Sequence, residues 1–199
     1  MLSVIVALSY LLGSIPSSII AGKLLRGIDI RNYGSGNAGG TNTFRVLGWK
    51  PGVLVTAADL VKGVVATLWV APLAFGACSL DPDTIRLMAG ISAIIGHIWT
   101  VFAGFRGGKG VGTAAGMLVV LYPVPFLICL AVFLGVFALW RIVAVSSIAA
   151  ALAFPLVLSI LKYGFDRPVA DPLYYFGFAA AILIIFTHRS NIRKLMQKR

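Results

Sequence analysis

Apolar runs of roughly twenty residues alternate along this chain with short polar segments. A helix rises about 1.5 Å per residue, so about twenty apolar residues cross the roughly 30 Å hydrocarbon core of a bilayer. The pattern therefore predicts membrane-spanning helices. The first run, Leu2–Gly22, is apolar from its start, with no basic leader or small-residue cleavage site, and reads as a span rather than a removed signal. A polar, Gly-rich and basic stretch, 23–51, follows as a long loop. Gly52–Phe75 is the second span, interrupted by Asp59 and Lys62. Residues 76–85 are a short acidic turn, and Ile85–Ala103 is the third span. Residues 104–112 form a Gly-rich basic loop, 163–172 a Pro-containing loop, and Tyr174–Thr187 the last span, followed by a basic tail from His188.

The stretch 113–140 is too long for one untilted span and short for two. Pro123 and Pro125 lie at its centre, where proline breaks or kinks a helix. Charge decides between the two. With a turn at 122–125 there are seven spans, and loops 23–51, 104–112, 141–145 and the tail share one face. That face then holds thirteen of the seventeen basic residues. With one span, the basic tail moves to the face opposite the basic first loop. The tendency of Lys and Arg to stay in the cytoplasm therefore favours an all-α polytopic membrane protein of seven helices. Its N-terminus lies outside and its C-terminus in the cytoplasm, and residues 1–199 form a single transmembrane domain.

Composition narrows the class further. The chain is 59% hydrophobic and 12% charged, about half the charge of an ordinary soluble domain. That excludes a soluble globular surface and a disordered chain. Two cysteines, Cys78 and Cys129, lie in apolar surroundings and read as packing residues, not as a disulfide framework or metal ligands. The net charge of +11 has two readings. It sets topology, and it also suits an anionic lipid or a phosphorylated substrate.

Three segments concentrate polar chemistry. The first, from Tyr33 to Arg45, contains a formal G-x-G-x-x-G at Gly34, Gly36 and Gly39. It is not a dinucleotide fingerprint, because a membrane helix precedes it where a strand is needed. Its Ser35, Asn37, Thr41 and Asn42 offer hydroxyls and amides, Gly39 and Gly40 let backbone N–H groups come close to an anion, and Arg45 adds a guanidinium. The second segment, Gly104 to Thr113, fails as a P-loop: Ala103 replaces its first Gly, and Gly110 follows Lys109 where Ser or Thr would hold magnesium. What survives is a Gly107-Gly108-Lys109-Gly110 turn opening a helix, and such a terminus binds anions. The third is His188, Asn191 and Arg193 at the inner end of the last span. His188 sits at the water boundary and titrates near neutral pH. The plainer readings are a flexible loop, a topology loop and a stop-transfer cluster. Ser146 and Ser147 open the sixth span and suit either helix contact or the site. His97 reads as a packing residue. Asp59 and Lys62 lie three apart on one helix face and read as an internal ion pair supporting the first loop.

At Gly34–Arg45, Phe105–Thr113 and His188–Arg193 the sequence resembles the bacterial acyl-phosphate-dependent glycerol-3-phosphate acyltransferases, the PlsY family. The one mild departure is Gly40, where Ala is usual. The resemblance implies transfer of a fatty acyl group from acyl phosphate to the 1-hydroxyl of glycerol 3-phosphate, giving lysophosphatidic acid and phosphate. It implies no cofactor, no metal and no nucleic acid. The implied partners are membrane lipids, the two substrates and other phospholipid-synthesis enzymes, at a bacterial inner membrane with the site facing the cytoplasm. By the same resemblance Ser35, Arg45 and Lys109 bind phosphate. Gly39, Gly40, Gly108 and Gly110 give close backbone approach, and His188 and Asn191 orient the acceptor. Ser146 or Ser147 completes the phosphate pocket. The His-x-x-x-x-Asp acyltransferase motif is excluded, since Phe102 and Arg193 stand five residues after His97 and His188. The rival class is a transporter of phosphate or an anionic lipid, which would place polar sites at mid-membrane.

Overall fold

A computed structural model describes residues 1–76 and 78–197. Among these the chain is helical without strands. It divides into two compact units, Met1–Leu121 and a second beginning at Tyr122.

In the first unit, α1 (Leu2–Ser14) and α2 (Ser17–Arg26) are separated at Ile15-Pro16. Proline lacks an N–H and pushes the preceding residue out of the α region, and Ile15 has φ −58 and ψ 114. The two helices together form one span of 25 residues, four longer than the sequence pattern suggested. A short turn at Ile30–Asn32 leads to α3 (Gly40–Leu47), and α4 (Trp49–Val65) runs on through a wider π turn (Ala66–Val70) and a tighter 3₁₀ turn (Ala71–Ala74). Helix α5 (Pro82–Ile98) is capped by Asp81, whose carboxylate accepts from the Thr84 amide at 2.9 Å. Helix α6 (Val111–Leu121) closes the unit.

The packing is that of a membrane protein. Large apolar side chains such as Leu54 point outward, while Ser9, Ser14, Thr67 and Thr113 are fully buried. Small residues let backbones touch. A Cβ on Gly63 would lie 2.1 Å from the Thr113 carbonyl oxygen, and one on Gly116 1.9 Å from that of Leu60, so α4 and α6 meet backbone to backbone. Gly13 and Gly96 do the same for α1 and α5.

The second unit contains α7 (Pro123–Trp140), α8 (Val143–Ser159, continued to Gly164), α9 (Asp171–Thr187) and α10 (Arg189–Met196). Helix α8 packs on α7 and on α9. Lys162 pairs with Asp171 across the α8–α9 loop and lies over the Tyr174 ring. Helices α9 and α10 are bent by 55° at His188.

Among the described residues, five helices can cross a membrane by length and apolarity, and six if the bent α9–α10 pair is one span. The stretch 113–140 does divide at its prolines, with α6 ending at Leu121 and α7 starting at Pro123. The difference from the seven-span expectation lies in α6. Its 11 residues reach only about 16 Å, half a bilayer core.

Candidate functional site

The first loop is built by its own polar residues. Gly27 ends α2 with φ +66, which L side chains rarely adopt. Asp29 accepts from the Arg31 amide at 3.0 Å, and the Arg31 guanidinium grips the same carboxylate at 2.7 Å. This pairing holds the Asp29 carboxyl below its ordinary pKa, the Arg31 side-chain hydrogen bond being the largest cause, and raises that of Arg31. Asn42, on the first turn of α3, reaches back under the loop. Its Oδ1 accepts from the Ser35 amide at 2.8 Å, and its Nδ2 donates to the carbonyls of Ile30 (3.0 Å) and Tyr33 (3.1 Å). Ile30 and Ala38 are pinned in an apolar cluster with Ile19 and Leu47. Asn42 thus organises the loop from beneath. Ser35 and Asn37 are half-buried, and Thr41 and Arg45 are exposed on α3. Gly39 caps α3, and a Cβ on Gly40 would come 2.2 Å from the Thr56 hydroxyl. That hydroxyl is itself fixed on the Gly52 carbonyl at 2.8 Å, so the space a larger residue at 40 would need is taken.

The second loop folds back on the end of α5. The amides of Gly107 and Gly108 donate to the carbonyls of Ile98 and His97, both at 3.0 Å. A helix leaves its last carbonyls unpaired, and here the glycine turn takes two of them. Gly110 has φ +82 and leads into α6, with Lys109 half-buried between.

Two contacts join the loops. Arg31 Nη1 donates to the Ala103 carbonyl at 2.7 Å and to that of Arg106 at 3.3 Å. A Cβ on Gly108 would lie 2.9 Å from the Ala38 carbonyl oxygen and 2.1 Å from His97 Nε2. Both glycine motifs therefore lie side by side in the first unit. Arg31 is the linking residue that sequence reasoning missed. In sequence it is one more basic residue on a basic face.

Beneath them lies a buried polar cluster. Lys62 Nζ donates to Asp59 Oδ1 at 2.8 Å, the internal pair expected from their spacing, and to the Ile15 carbonyl at 2.5 Å. His97 Nδ1 is 3.6 Å from the same Asp59 oxygen. Thr100 Oγ1 donates to the Ser14 carbonyl, and Ser14 Oγ to that of Gly96 at 3.3 Å. The proline break between α1 and α2 is thus stitched to α4 and α5.

The remaining expected residues lie in the second unit. Ser146 and Ser147 are buried in the first turn of α8, where Ser146 Oγ donates to the Ile142 carbonyl at 3.1 Å. His188 is buried at the α9–α10 bend, with Nδ1 2.8 Å from the Ile184 carbonyl. A carbonyl oxygen only accepts, so Nδ1 carries a proton in that contact. Asn191 follows, its amide donating to the His188 carbonyl at 2.9 Å, and Arg193 is exposed.

A family model described as glycerol-3-phosphate acyltransferase matches residues 3–198. The glycerol-3-phosphate acyltransferase of Chlorobium phaeobacteroides (strain BS1) is 51% identical over 223 residues, covering 98% of this chain and 93% of the relative. That of Pelodictyon phaeoclathratiforme (strain DSM 5477 / BU-1) is 50% identical over 216 residues, covering 96% and 92%. Among solved structures, PlsY (YgiH), an integral membrane glycerol 3-phosphate acyltransferase in its glycerol 3-phosphate form, is similar with a TM-score of 0.83. Its identity is 36%, over 100% of this chain and 93% of that one. The lysophosphatidic acid form of PlsY gives 0.82 and 35% over the same shares.

Proposed function

As the chain belongs to the glycerol-3-phosphate acyltransferase family, the integral membrane enzymes of phospholipid synthesis typified by PlsY, we propose that its acyl donor is acyl phosphate. The acyl group passes to the 1-hydroxyl of sn-glycerol 3-phosphate. The hydroxyl oxygen attacks the acyl carbonyl, the bond from the acyl carbon to the phosphate oxygen breaks, and inorganic phosphate leaves with lysophosphatidic acid as the other product. The activated donor carries its own leaving group, so the protein supplies positioning and charge stabilisation.

The reading rests on one observation: the two glycine loops are tied together by Arg31 and meet at Ala38 and Gly108. Ser35, Arg45 and Lys109 would then bind phosphate groups, with Asn37, Thr41 and the backbone amides of Gly39, Gly40, Gly107, Gly108 and Gly110 as further donors. Ser146, Ser147, Arg193, His188 and Asn191 belong to acceptor and phosphate binding in this proposal. The attacking hydroxyl gives its proton to His188 Nε2 or to the substrate's own phosphate. The chain crosses a bacterial inner membrane seven times, with α6 as a short or tilted fourth helix, its N-terminus outside and the loops facing the cytoplasm. Contacts with other phospholipid-synthesis enzymes are part of the same proposal.

Purified protein in lipid, given labelled glycerol 3-phosphate with either acyl phosphate or an acyl thioester, tests the donor. Lysophosphatidate with acyl phosphate alone is expected, and equal turnover with the thioester refutes the donor assignment. Lys109→Ala and Arg45→Ala should each slow turnover at least about tenfold, or roughly 1.4 kcal/mol of barrier. Wild-type rates in both would refute the phosphate assignment. Cysteines at Gly36 and Ser190 should label from the same side of the membrane, and opposite sides would refute seven spans.

A further inference from the structure

The buried cluster beneath the glycine loops has no role in the reaction as described, yet charges inside a membrane protein are costly unless they are paired and used. Asp59, Lys62 and His97 are each more than nine-tenths buried. Asp59 and His97 line a recess with Ser14, Thr100, Ala38, Gly107 and Gly108. The room left among these side chains is about that of one water molecule, so the cluster does not hold a substrate. What it does hold is backbone.

At one end the Lys62 ammonium donates to the Ile15 carbonyl, which also accepts from the Ser17 amide at 3.0 Å where proline interrupts the first span. In the middle, Asp59 binds Lys62 and faces His97 Nδ1. At the other end, the His97 ring lies under Gly108, so close that a Cβ there would come 2.1 Å from Nε2. The His97 carbonyl also accepts from the Gly108 amide. One residue therefore fixes Gly108 twice, through its ring and through its carbonyl. Lys109 is the next residue along, and Gly110 then opens α6.

We propose that His97, backed by Asp59 and Lys62, is a positioning residue for the Gly107–Gly110 turn and, through it, for Lys109. The ring acts as a floor that sets how deep Gly108 sits. Asp59 and Lys62 set the level of that floor against the break in the first span. This inference rests on the reading of Lys109 as a phosphate ligand. The geometry favours an indirect role, since Gly108 lies over Nε2 and Asp59 faces Nδ1. A misplacement of about 1 Å at a binding group costs on the order of a hundredfold in rate, so a small loss of support should be visible in turnover.

A double-mutant cycle tests the coupling. His97→Ala should lower kcat/KM about tenfold or more in the parent enzyme in lipid, and less than about twofold further in a Lys109→Ala background. His97→Asn keeps an amide donor near the Nδ1 position facing Asp59 but removes the atoms beneath Gly108, so it should lose nearly as much as His97→Ala, and full recovery would overturn the ring's role as the floor. Multiplicative losses in the cycle, or a wild-type rate for His97→Ala, would overturn the proposal. Hydrogen exchange separates this from the phosphate assignment. The amides of Gly108 and Lys109 should exchange faster in His97→Ala even if Lys109→Ala itself proves active, and unchanged exchange at both overturns the positioning role. If His97→Ala does not accumulate as folded protein, His97→Leu carries the same two measurements with the ring's volume partly kept.

Discussion

Replacing Asn42 by Ala removes three hydrogen bonds at once, from the Ser35 amide and to the Ile30 and Tyr33 carbonyls. Each is worth about 0.5–1.5 kcal/mol net, and a buried partner left unpaired costs more. Ile30 is fully buried, whereas Tyr33 and Gly34 are exposed and water can replace part of what is lost there. A total of about 2–3 kcal/mol follows, which lowers the equilibrium constant for forming the loop roughly 30- to 150-fold. The apolar pins at Ile30 and Ala38 remain, so the unit should still fold. Acyl transfer should fall by up to that factor, and the Ser35 amide should lose protection from hydrogen exchange. Asn42→Asp separates the two functions of the amide. It keeps the acceptor for Ser35 but sets a carboxylate against two carbonyls, so it should be as poor as Ala in turnover. If Asn42→Ala shows parental kcat/KM and unchanged exchange at Ser35, the side chain does not organise the loop and the argument fails.

Gly63→Ala and Gly116→Ala each push a methyl into a backbone carbonyl of the facing helix and should lower the thermal midpoint sharply, whereas Gly135→Ala meets nothing within 4 Å and should leave it unchanged or raise it. Equal midpoints for all three would refute the close α4–α6 approach. The Asp29 carboxyl titrates below its ordinary value in the folded chain, so the Asp29–Arg31 grip stabilises the first loop above that ordinary pKa, near 3.8, and the gain is lost as pH falls through the lowered one. Hydrogen exchange of residues 30–33 should therefore converge between parent and Asp29→Asn on acidification and diverge at neutral pH. Parallel profiles would refute it. Tyr10→Phe removes a 2.7 Å bond from the hydroxyl to the Trp99 carbonyl and should cost about 1 kcal/mol of stability in a denaturation assay; no measurable change would mean water replaces it.

The long apolar runs were legible because lipid demands them, and the break in 113–140 because proline cannot continue a helix. The Ile15-Pro16 break follows the same rule. Polar side chains were harder. Asn42 stands in sequence among ligand-like neighbours, and only the fold of the loop over it turns its amide inward. His188 reads as an interfacial residue because a basic tail follows it, and its burial beside a 55° bend has no local signal in the sequence. Asp59 and Lys62 announced their pairing by spacing along one helix. Their link to His97 depends on how α4 and α5 meet, which no local pattern encodes. Arg31 was hidden for the opposite reason, since one cation on a face rich in cations carries no mark of its role.

The break in the first span also constrains how the chain is made. The Ser14 and Ile15 carbonyls find their partners in Thr100 and Lys62, 86 and 47 residues further on. At about 5–20 residues per second of synthesis, those partners emerge seconds after the first helix. During that interval the Ile15 carbonyl keeps the Ser17 amide at 3.0 Å, but the Ser14 carbonyl faces hydrocarbon that cannot satisfy it. The nascent first span must therefore wait beside water or the insertion machinery until α4 and α5 arrive. Its place in the bilayer becomes final only when the third span does.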